Sequence, residues 1–480
     1  MNDKAIYTCS ELLTATKGLL VGNDKWHAIG LCMDSREAQS GEVFIALKPD
    51  TDGDKYRTSG QDGHNFVQSA LDNGAVAVIV DHKMDIDIPQ IIVNDTFQAM
   101  IDMGQFARNR AHLKQAVAIT GSVGKTGVRD MVDHAFQGAG LVTHASIKSY
   151  NNSIGVPYTL ATMPSGTEVS ISEVGMNYPS EITPLSKQIR PDIAIITWIA
   201  DVHIENFNNG INGIVNAKSE IFNGMDADGV AILPHDNDYY DMLVSIAKST
   251  GLKNIFSFGE HDDADARLIN YTLSANNTKI TANIMGEQVQ YELKIAGKHI
   301  ACNSLSALLS VKLAGGDVQK AAMALGGIQP IEGRGSREVI NLGDKNAPVT
   351  LINESYNASC IAMVAAFNVV SMIVPKRNGQ RIAVLGDMLE LGDIARQTHE
   401  GLVVPLVEAR FDKLYCCGPN MKHLFTKMPD AMKGGHFENA EKLSSAIPSI
   451  LKPNDVVLVK GSLGSKMRLV VEAIRSLDKA

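Results

Sequence analysis

Residues 115–131 have the sequence QAVAITGSVGKTGVRDM. Its first six residues predict a short buried strand, and "VRDMVDHAF" from residue 128 onward predicts a helix. A glycine turn joins the two, so the turn lies where a strand ends and a helix begins. Backbone N–H groups at such a helix N-terminus converge on an anion, and the helix dipole favours negative charge there. The stretch therefore predicts a phosphate site at the edge of an α/β sheet.

Six consecutive residues form the turn: Gly121, Ser122, Val123, Gly124, Lys125 and Thr126. We predict that they bind a nucleotide, with Lys125 as a point charge for the β- and γ-phosphates and the Thr126 hydroxyl as a ligand for Mg²⁺. The spacing G-x-x-G-K-T is the shorter form of the motif, because Ile119 stands where the longer form has its first glycine. The turn alone leaves open a ligase, a transporter ATPase and a GTPase-type switch.

Length and composition narrow the class of protein. A chain of 480 residues predicts two to four domains. With 45% hydrophobic and 20% charged residues, the composition is typical of a globular protein. The formal net charge of −9, without a long run of Lys or Arg, argues against nucleic-acid binding. We expect no membrane insertion, because no apolar run is long enough to cross a bilayer.

Cysteine usage and the first residues indicate the cytoplasm. The six cysteines form no C-x-x-C pair, which argues against a zinc site, and scattered thiols suit a reducing compartment. The opening sequence MNDKAIYTCSELL has no basic segment followed by an apolar one, so we expect no secretory signal. We also expect a monomer.

The succession of strands and helices predicts an α/β protein with three domains. Residues 1–94 mix short strands such as "GEVFIAL" with a helix and predict a small α/β N-terminal domain. Residues 95–329 alternate buried strands with helices and predict a central P-loop-type parallel sheet, to which the alternating pattern from Arg267 to Ile295 adds an antiparallel edge. Residues 330–480, with strands such as "VTLIN" and "RIAVLG", predict a Rossmann-like C-terminal domain.

Three side chains downstream of the turn are candidates for handling charge. Glu173 ends the strand "VSISEV" and His203 follows the strand "DIAIIT", so both are expected at the carboxyl edge of the sheet, where ligands bind. A carboxylate there suits the divalent metal that phosphoryl transfer needs. Lys218 lies in the helical stretch "IVNAKSEIF", where a lysine is ordinarily a surface residue, and neither spacing nor composition distinguishes it.

A series of short motifs runs in order through all three regions. They are "DSREAQSGEVFIAL" and "DGHNF" in the first, "GSVGKT", "NNSIGVPYTL", "SEVGMN", "HIENF" and "AKSEIF" in the second, and "EGRGSRE", "ESYNAS", "VLGDMLELG" and "VKGS" in the third. The ordered set resembles the Mur ligase family, ATP-dependent amide-forming ligases of peptidoglycan synthesis. "VLGDMLELG" in particular resembles the member that adds D-alanyl-D-alanine.

The resemblance implies an activity and a place for each substrate. ATP would convert the free carboxylate of a UDP-N-acetylmuramoyl-tripeptide into an acyl phosphate, which the amine of D-alanyl-D-alanine would attack. The first domain would bind the UDP substrate, with Ser35 in the uridine site. Asn151 and Asn152 would lie near the acceptor substrate, and the third domain would bind the incoming dipeptide.

The resemblance also implies a nucleotide and metal site with two Mg²⁺ ions. Thr126 and Glu173 would hold the Mg²⁺ bound to ATP, and His203 would help to bind the second. Lys218 matches a lysine that is carbamylated by CO₂ in this family and so becomes a carboxylate-like metal ligand. Lys125, His203 and Lys218 form the candidate catalytic set. Two further residues would contact ATP, namely Asn303 and Arg334.

The sequence departs from the family pattern at several positions. Gly127 replaces a threonine after G-K-T, and Ile300 replaces the first asparagine of H-N-x-x-N. The pattern D-D-S-Y-N-A-N-P reads "NESYNASC", so Asn353 replaces a carboxylate and Cys360 replaces the proline. The loop around Asp50 to Asp62 is expected to be longer than usual.

Three other kinds of protein are alternatives. Within the family, the ligase that adds the third residue of the stem peptide shares the uridine-site motifs but lacks "VLGDMLELG", and a folate-type glutamate ligase lacks the "DSRE" domain. Outside catalysis, the chain could be a nucleotide-binding relative that has lost the reaction, which the departures at 300 and 353 favour. The joint presence of the charge-handling residues argues against that alternative.

Overall fold

The computed structural model describes residues 5–49, 60–343 and 345–478. Within these residues the predicted α/β class is confirmed, because three larger sheets, mostly parallel, are each covered by helices. The predicted loop from Asp50 to Asp62 lies outside the described residues except for its last three. The domain boundaries at 94/95 and 329/330 stay a prediction.

The first region forms a five-stranded sheet with the strand order β2-β7-β6-β5-β4, next to a two-stranded ribbon of β1 and β3. All pairs in the larger sheet are parallel except β2 with β7. The elements are β1 (Tyr7–Thr8), α1 (Cys9–Thr16), β2 (Leu19–Val21), β3 (His27–Ala28), β4 (Gly30–Cys32), β5 (Glu42–Ile45), α2 (Val67–Asp72), β6 (Ala77–Val80) and β7 (Gln90–Ile92).

The central region forms a nine-stranded sheet in which six consecutive pairings, from β9 to β14, are parallel and the last two are antiparallel. Its order is β16-β15-β14-β13-β12-β11-β8-β10-β9. The elements are α3 (Thr96–Arg110), β8 (Gln115–Thr120), α4 (Lys125–Gly138), β9 (Thr143–Ala145), α5 (Gly155–Ala161), β10 (Val169–Glu173), α6 (Ile182–Ile189), β11 (Ile193–Ile196), α7 (Gly210–Ser219), β12 (Val230–Pro234), α8 (Tyr240–Ser249), β13 (Asn254–Gly259), β14 (Ala266–Leu273), β15 (Thr278–Ile284), β16 (Glu287–Leu293), α9 (Lys298–Leu313) and α10 (Val318–Leu325).

The third region forms a six-stranded sheet with the order β17-β18-β22-β19-β20-β21, in which only the β17–β18 pair is antiparallel. The elements are β17 (Ser336–Ile340), β18 (Val349–Glu354), α11 (Cys360–Ser371), β19 (Arg381–Gly386), α12 (Ala395–Glu400), α13 (Val403–Glu408), β20 (Lys413–Cys417), α14 (Met421–Lys427), β21 (Lys433–Phe437), α15 (Ala440–Ile450), β22 (Val456–Lys460) and α16 (Arg468–Arg475).

The core of the central region explains why the glycine turn lies where it does. β8 is buried between β10 and β11, and one face of the sheet packs on α4, α9 and α10 while the other packs on α6, α7 and α8. Glu173 is paired with Ile119, and Ile196 with Thr120, so the ends of three parallel strands meet at one edge. Chain segments leaving these strands must therefore converge there.

The first and central regions share part of a core. Apolar side chains of α3, such as Met100 and Met103, pack in the same cluster as Ile45 and Ile79 of the first sheet. Asp95 caps α3 as predicted, since its side chain accepts hydrogen bonds from the N–H groups of the first turn. No helix in the part of the chain described here is long and apolar enough to span a membrane.

Candidate functional site

A cavity of about 1090 Å³ opens at the carboxyl edge of the central sheet and is closed on its other side by the third region. Most of the predicted site residues line it: Ser122, Val123, Gly124, Lys125, Thr126, Asn151, Glu173, His203, Asn303 and Arg334. Gly121, Lys218, Ser35 and Asn152 are not among the lining residues. The structure thus brings together residues that are up to 212 positions apart in the chain, from Ser122 to Arg334.

The glycine turn is held in a fixed shape by the segment that follows β11. Gly121 and Gly124 have φ angles of +149° and +89°, a region that favours glycine. A Cβ on Gly121 would lie only 2.0 Å from the Oγ1 of Thr197. The Ser122 hydroxyl donates to the carbonyl of Ala200 at 2.9 Å. Because these contacts order the turn in advance, its N–H groups need little rearrangement to bind an anion.

Lys125 begins α4 and bends back over the turn. Its Nζ donates to the carbonyl of Gly121 at 2.8 Å. Burial lowers the pKa of Lys125, the charge of Glu173 opposes this shift, and the guanidinium of Arg334 adds to it. The side-chain amine of Lys125 is therefore held beside the turn, where the negative charge of a bound phosphate would stabilise its protonated form.

Two residues of the cavity lining have a buried side-chain oxygen without a hydrogen-bond partner in the described structure, namely Thr126 (Oγ1) and Glu173 (Oε2). The other carboxylate oxygen of Glu173 accepts from Asn151 Nδ2 at 2.7 Å, which fixes the orientation of the carboxylate. A buried polar atom without a partner costs about 1–3 kcal/mol. Oxygen donors of this kind are what Mg²⁺ prefers, so the residues present fit a magnesium ion.

Lys218 is buried on α7, with only 2% of its surface exposed. No hydrogen bond or ion pair to its ammonium group is found among the residues that the structure describes. Burial lowers its pKa well below the ordinary 10.5, and the positive charge of Lys125 adds to the effect. Lysines of an amphipathic helix are ordinarily exposed, so the burial of Lys218 marks it as a candidate site residue. The sequence pattern does not reveal this burial.

His203 meets a residue of the third region that the sequence analysis did not single out. It has a φ of +62° and lies just before a short 3₁₀ turn, Ile204–Asn206. Its Nδ1 makes a hydrogen bond to Oε2 of Glu390. The hydrogen bond to His203 lowers the pKa of the Glu390 carboxyl. Glu390 belongs to "VLGDMLELG", so the sequence identified the motif that contains this residue but did not identify the residue itself.

Asn303 and Arg334 approach the turn from two directions. A Cβ on Gly124 would lie 2.9 Å from Nδ2 of Asn303, which shows how closely α9 approaches the turn. The guanidinium of Arg334 stacks 4.2 Å from the ring centre of Tyr356 and donates to Ser149 Oγ at 3.3 Å. Arg334 therefore spans from the third region to the central one.

Ser35 and Asn152, which do not line the cavity, make local hydrogen bonds through a backbone carbonyl and a side chain respectively. The carbonyl of Ser35 accepts from Asn73 Nδ2 at 2.8 Å. Asn152 Oδ1 accepts from the N–H groups of Ile154 and Gly155, at 3.2 Å and 2.9 Å, at the start of α5. Their predicted substrate contacts stay a prediction, and for Asn152 a helix-start role accounts for the side chain.

The residues at the positions that depart from the family pattern make local contacts in this chain. Asn353 is buried, and its Oδ1 accepts from both the N–H and the hydroxyl of Ser355. Glu354 forms an ion pair with Lys460 at 2.9 Å. The hydroxyl of Ser359 caps α11, which begins at Cys360, so this loop has a defined shape without proline. Ile300 lines the cavity and packs on the central core.

Comparison with known families and proteins places the chain among peptidoglycan ligases. The Mur ligase middle domain matches residues 119–311, and the Mur ligase glutamate ligase domain matches residues 340–463. The UDP-N-acetylmuramoyl-tripeptide–D-alanyl-D-alanine ligase of Rickettsia prowazekii is 32% identical over 445 residues, which are 92% of this chain and 93% of the relative.

Solved structures give the same picture for the fold. The crystal structure of MurF from Acinetobacter baumannii superposes with a TM-score of 0.80 at 28% identity, covering 98% of this chain and 99% of that one. A MurF ligase from Thermotoga maritima in complex with ADP has a TM-score of 0.72, covering 93% of this chain and 97% of that one. At 22% identity the second likeness concerns the fold alone.

Proposed function

The chain belongs to the Mur ligase family, and we propose that it joins D-alanyl-D-alanine to UDP-N-acetylmuramoyl-tripeptide while ATP is split to ADP and phosphate. The observation that carries this proposal is the similarity to a ligase of this name along 92% of the chain. Buried oxygens without partners at the edge of the central sheet support the same activity, because they suit the metal that ATP brings.

The reaction has to activate a carboxylate, because a carboxylate does not condense with an amine in water. The γ-phosphoryl group of ATP moves to an oxygen of the tripeptide carboxylate, which gives an acyl phosphate and ADP. The amine nitrogen of D-alanyl-D-alanine then forms a bond to the acyl carbon. As the tetrahedral intermediate collapses, the C–O bond to phosphate breaks, and the nitrogen loses a proton to leave an amide.

The glycine turn performs the work of binding and charge neutralisation in this reaction. Its N–H groups and the dipole of α4 would hold the phosphates of ATP, and Lys125 would offset negative charge on the group being transferred. The turn is already ordered by Thr197 and Ala200, so little reorganisation accompanies the reaction. Asn303, close to Gly124, and Arg334 would contact the nucleotide from opposite sides.

The metal site would be built from side chains of the central region. Thr126 and Glu173 would hold one Mg²⁺, and His203 with a carbamylated Lys218 would hold a second. When bound, the ions would neutralise charge on the phosphate oxygens. Asn151 keeps the Glu173 carboxylate oriented for this role.

Carbamylation of Lys218 agrees with the burial of its amine. Burial lowers the pKa of Lys218 and so favours the neutral amine, whose nitrogen lone pair can form a bond to the carbon of CO₂. The amine then loses a proton, and the side chain becomes an anion with two oxygen ligands. A ¹³C NMR signal of a carbamate on protein equilibrated with ¹³CO₂, absent in Lys218→Met, would test this modification.

The third region closes the cavity from the side opposite the turn, and Arg334 connects it to the central region. Closure would exclude water that otherwise hydrolyses the acyl phosphate. We place the activity in the cytoplasm, because all six cysteines are free thiols, as a reducing compartment favours. The monomer stays a prediction.

The test is release of phosphate by the purified protein supplied with ATP, Mg²⁺, D-alanyl-D-alanine and UDP-N-acetylmuramoyl-tripeptide. The tripeptide is supplied once with meso-diaminopimelate and once with lysine as its third residue. We expect release that requires both substrates, with the pentapeptide product seen by mass spectrometry. ATP binding without release on any tripeptide would overturn the proposal and favour a relative that binds the nucleotide only.

A further inference from the structure

The loop that follows β19 is anchored at three points and presents Glu390 at its tip. Asp387 accepts hydrogen bonds from the N-terminal N–H groups of α14. The N–H of Met388 donates to Nε2 of His399 at 3.0 Å, and the N–H of Leu389 donates to Ser462 Oγ at 3.0 Å. Because the residues before Glu390 are fixed in this way, the position of its carboxylate is set by the third region as a whole.

Glu390 and His203 both adopt a left-handed backbone conformation, which is rare for residues other than glycine. Each has a φ of +62°, and a non-glycine residue in this region costs about 1–3 kcal/mol. The two residues meet through the hydrogen bond between His203 Nδ1 and Glu390 Oε2. Among the eleven non-glycine residues with positive φ in the described part of the chain, these two meet each other across two regions, which makes their contact a candidate for a functional role.

The neighbouring backbone reinforces this contact. The N–H of Glu205 approaches the carbonyl of Glu390 at 3.5 Å. Gly392 has a φ of +53°, and a Cβ there would lie 3.1 Å from Cβ of Glu205. Residues 203–206 of the central region and 389–392 of the third region therefore fit closely, which makes the contact between His203 and Glu390 dependent on how the two regions are docked.

The chemistry of the pair resembles that of a metal-binding histidine. A histidine that binds a metal through one ring nitrogen usually donates the other N–H to a carboxylate, which fixes the tautomer and the direction of the ring. With Nδ1–H donated to Glu390, the Nε2 of His203 carries the free lone pair.

We propose that Glu390 is a positioning residue that fixes the ring and tautomer of His203 for the second metal ion, so that this ion binds well only when the third region is docked on the central one. The proposal rests on the proposed function for the metal role of His203. It makes the third region a part of the metal site without contributing a metal ligand itself.

The first experiment measures metal binding directly. Full-length protein with the non-hydrolysable analogue AMP-PNP is titrated with Mn²⁺, and bound Mn²⁺ is counted by electron paramagnetic resonance. We expect Glu390→Ala to weaken binding of the second ion by about 10–100-fold. Glu390→Gln should lose less, because its amide oxygen still accepts the Nδ1–H of His203. The matched control is Glu438→Gln, a residue whose side chain is 70% exposed and which lies outside the cavity lining.

A double-mutant cycle separates positioning through His203 from a general structural role. If Glu390 acts through His203, Glu390→Ala should add nothing to the Mn²⁺ affinity already lost in His203→Asn. Fully additive losses, or an unchanged Mn²⁺ affinity in Glu390→Ala, would overturn the proposal. In turnover, Glu390→Ala should raise the Mg²⁺ concentration needed for half-maximal rate while the KM for D-alanyl-D-alanine stays within twofold.

The outcome can be distinguished from failure of the proposed function. Mn²⁺ binding in the presence of AMP-PNP does not require the tripeptide or the dipeptide. The wild-type protein could release no phosphate with either tripeptide while Glu390→Ala still weakened Mn²⁺ binding. In that case the ligase assignment would fail and the positioning role of Glu390 would stand.

Discussion

The central and third sheets present their carboxyl edges to the same cavity, but the buried polar groups that line the cavity from the two sheets differ in their hydrogen bonds. At the central edge, Thr126 Oγ1 and Glu173 Oε2 are buried without a partner. At the third edge, Lys460 is paired with Glu354, and Asn353 with Ser355, whereas the buried hydroxyl of Ser336, which lies beside Asn353 and outside the cavity lining, has no partner. Since proteins ordinarily satisfy buried polar groups, the unsatisfied edge is prepared for a ligand and the satisfied edge holds loops in place. Variants at each edge test this difference.

Removing the charge of the turn should affect catalysis and leave the fold intact. We expect Lys125→Ala to lower kcat by at least about 10³-fold, or about 4 kcal/mol, because the group neutralises charge that builds up during transfer. The measurement is phosphate release, with circular dichroism to confirm folding. Lys320→Ala, on the exposed surface of α10, is the matched control. Substantial ligase activity in folded Lys125→Ala would remove the basis for calling this edge catalytic.

Removing a partner at the satisfied edge should affect stability instead. Lys460 is buried and donates to Glu354 at 2.9 Å and to the carbonyl of Asn357 at 3.1 Å. We expect Lys460→Met to lower the free energy of unfolding by about 2–3 kcal/mol, less than for a fully buried pair because Glu354 is a quarter exposed. Urea denaturation measures this change. The control Lys466→Met, which breaks an exposed pair with Glu441, should cost less than about 1 kcal/mol.

Replacing Lys218 should raise the free energy of unfolding of the metal-free protein, whereas replacing Lys460 should lower it. Burying an amine without a partner costs about 1–3 kcal/mol, so Lys218→Met should gain about this much at pH 7 while activity is lost. Folding lowers the pKa of Lys218, so between that value and 10.5 the unfolded chain binds a proton that the folded chain does not. Stability of the wild type should therefore rise with pH in this window, and the advantage of Lys218→Met should shrink.

Urea denaturation at pH 7 and pH 10, in buffer free of metal and CO₂, measures this difference. Lys320→Met is the control, since its side chain is exposed in α10 and should change neither the stability nor its pH dependence. A loss of stability in Lys218→Met at neutral pH would show that the buried amine has a stabilising partner after all.

The two neighbouring asparagines should separate a ligand role from a structural one. Asn152→Ala should lower the free energy of unfolding by about 1 kcal/mol, because it removes the side chain that accepts from the first N–H groups of α5, and it should leave KM values unchanged. Asn151→Ala should instead lower kcat, since it releases the Glu173 carboxylate. Denaturation midpoints and steady-state kinetics of both variants decide this. A rise in the KM for the tripeptide in Asn152→Ala would restore its predicted substrate role.

Much of the fold could be predicted because local patterns are strong in this chain. "QAVAIT" became β8 and "VSISEV" became β10, with Glu173 at its end, since continuous apolar runs bounded by turns favour buried strands. The cap at Asp95 and the antiparallel ribbon around residues 278–293 were confirmed for similar local reasons. Short strands such as β9 and β17, which carry less apolar pattern, were not predicted.

The candidate site was predictable as a set of residues but not as a set of contacts. Lys218 looked like a surface lysine, because helical spacing does not reveal which neighbour covers a helix face. Glu390 was visible only within a motif, since its partner His203 lies 187 positions away. Asn152 and Asn151 are adjacent in sequence, yet one accepts from the start of a helix and the other orients a carboxylate.

By itself the sequence determined the α/β class, the glycine turn between β8 and α4, and the chemistry available at the edge of the sheet, because these depend on residues close together in the chain. Only the tertiary structure decided that Lys218 is buried, that the two edges differ in hydrogen bonding, and that His203 meets Glu390. Burial and pairing depend on which distant segments pack together. A residue's pKa and its unused hydrogen-bonding capacity follow from that packing and not from its place in the chain.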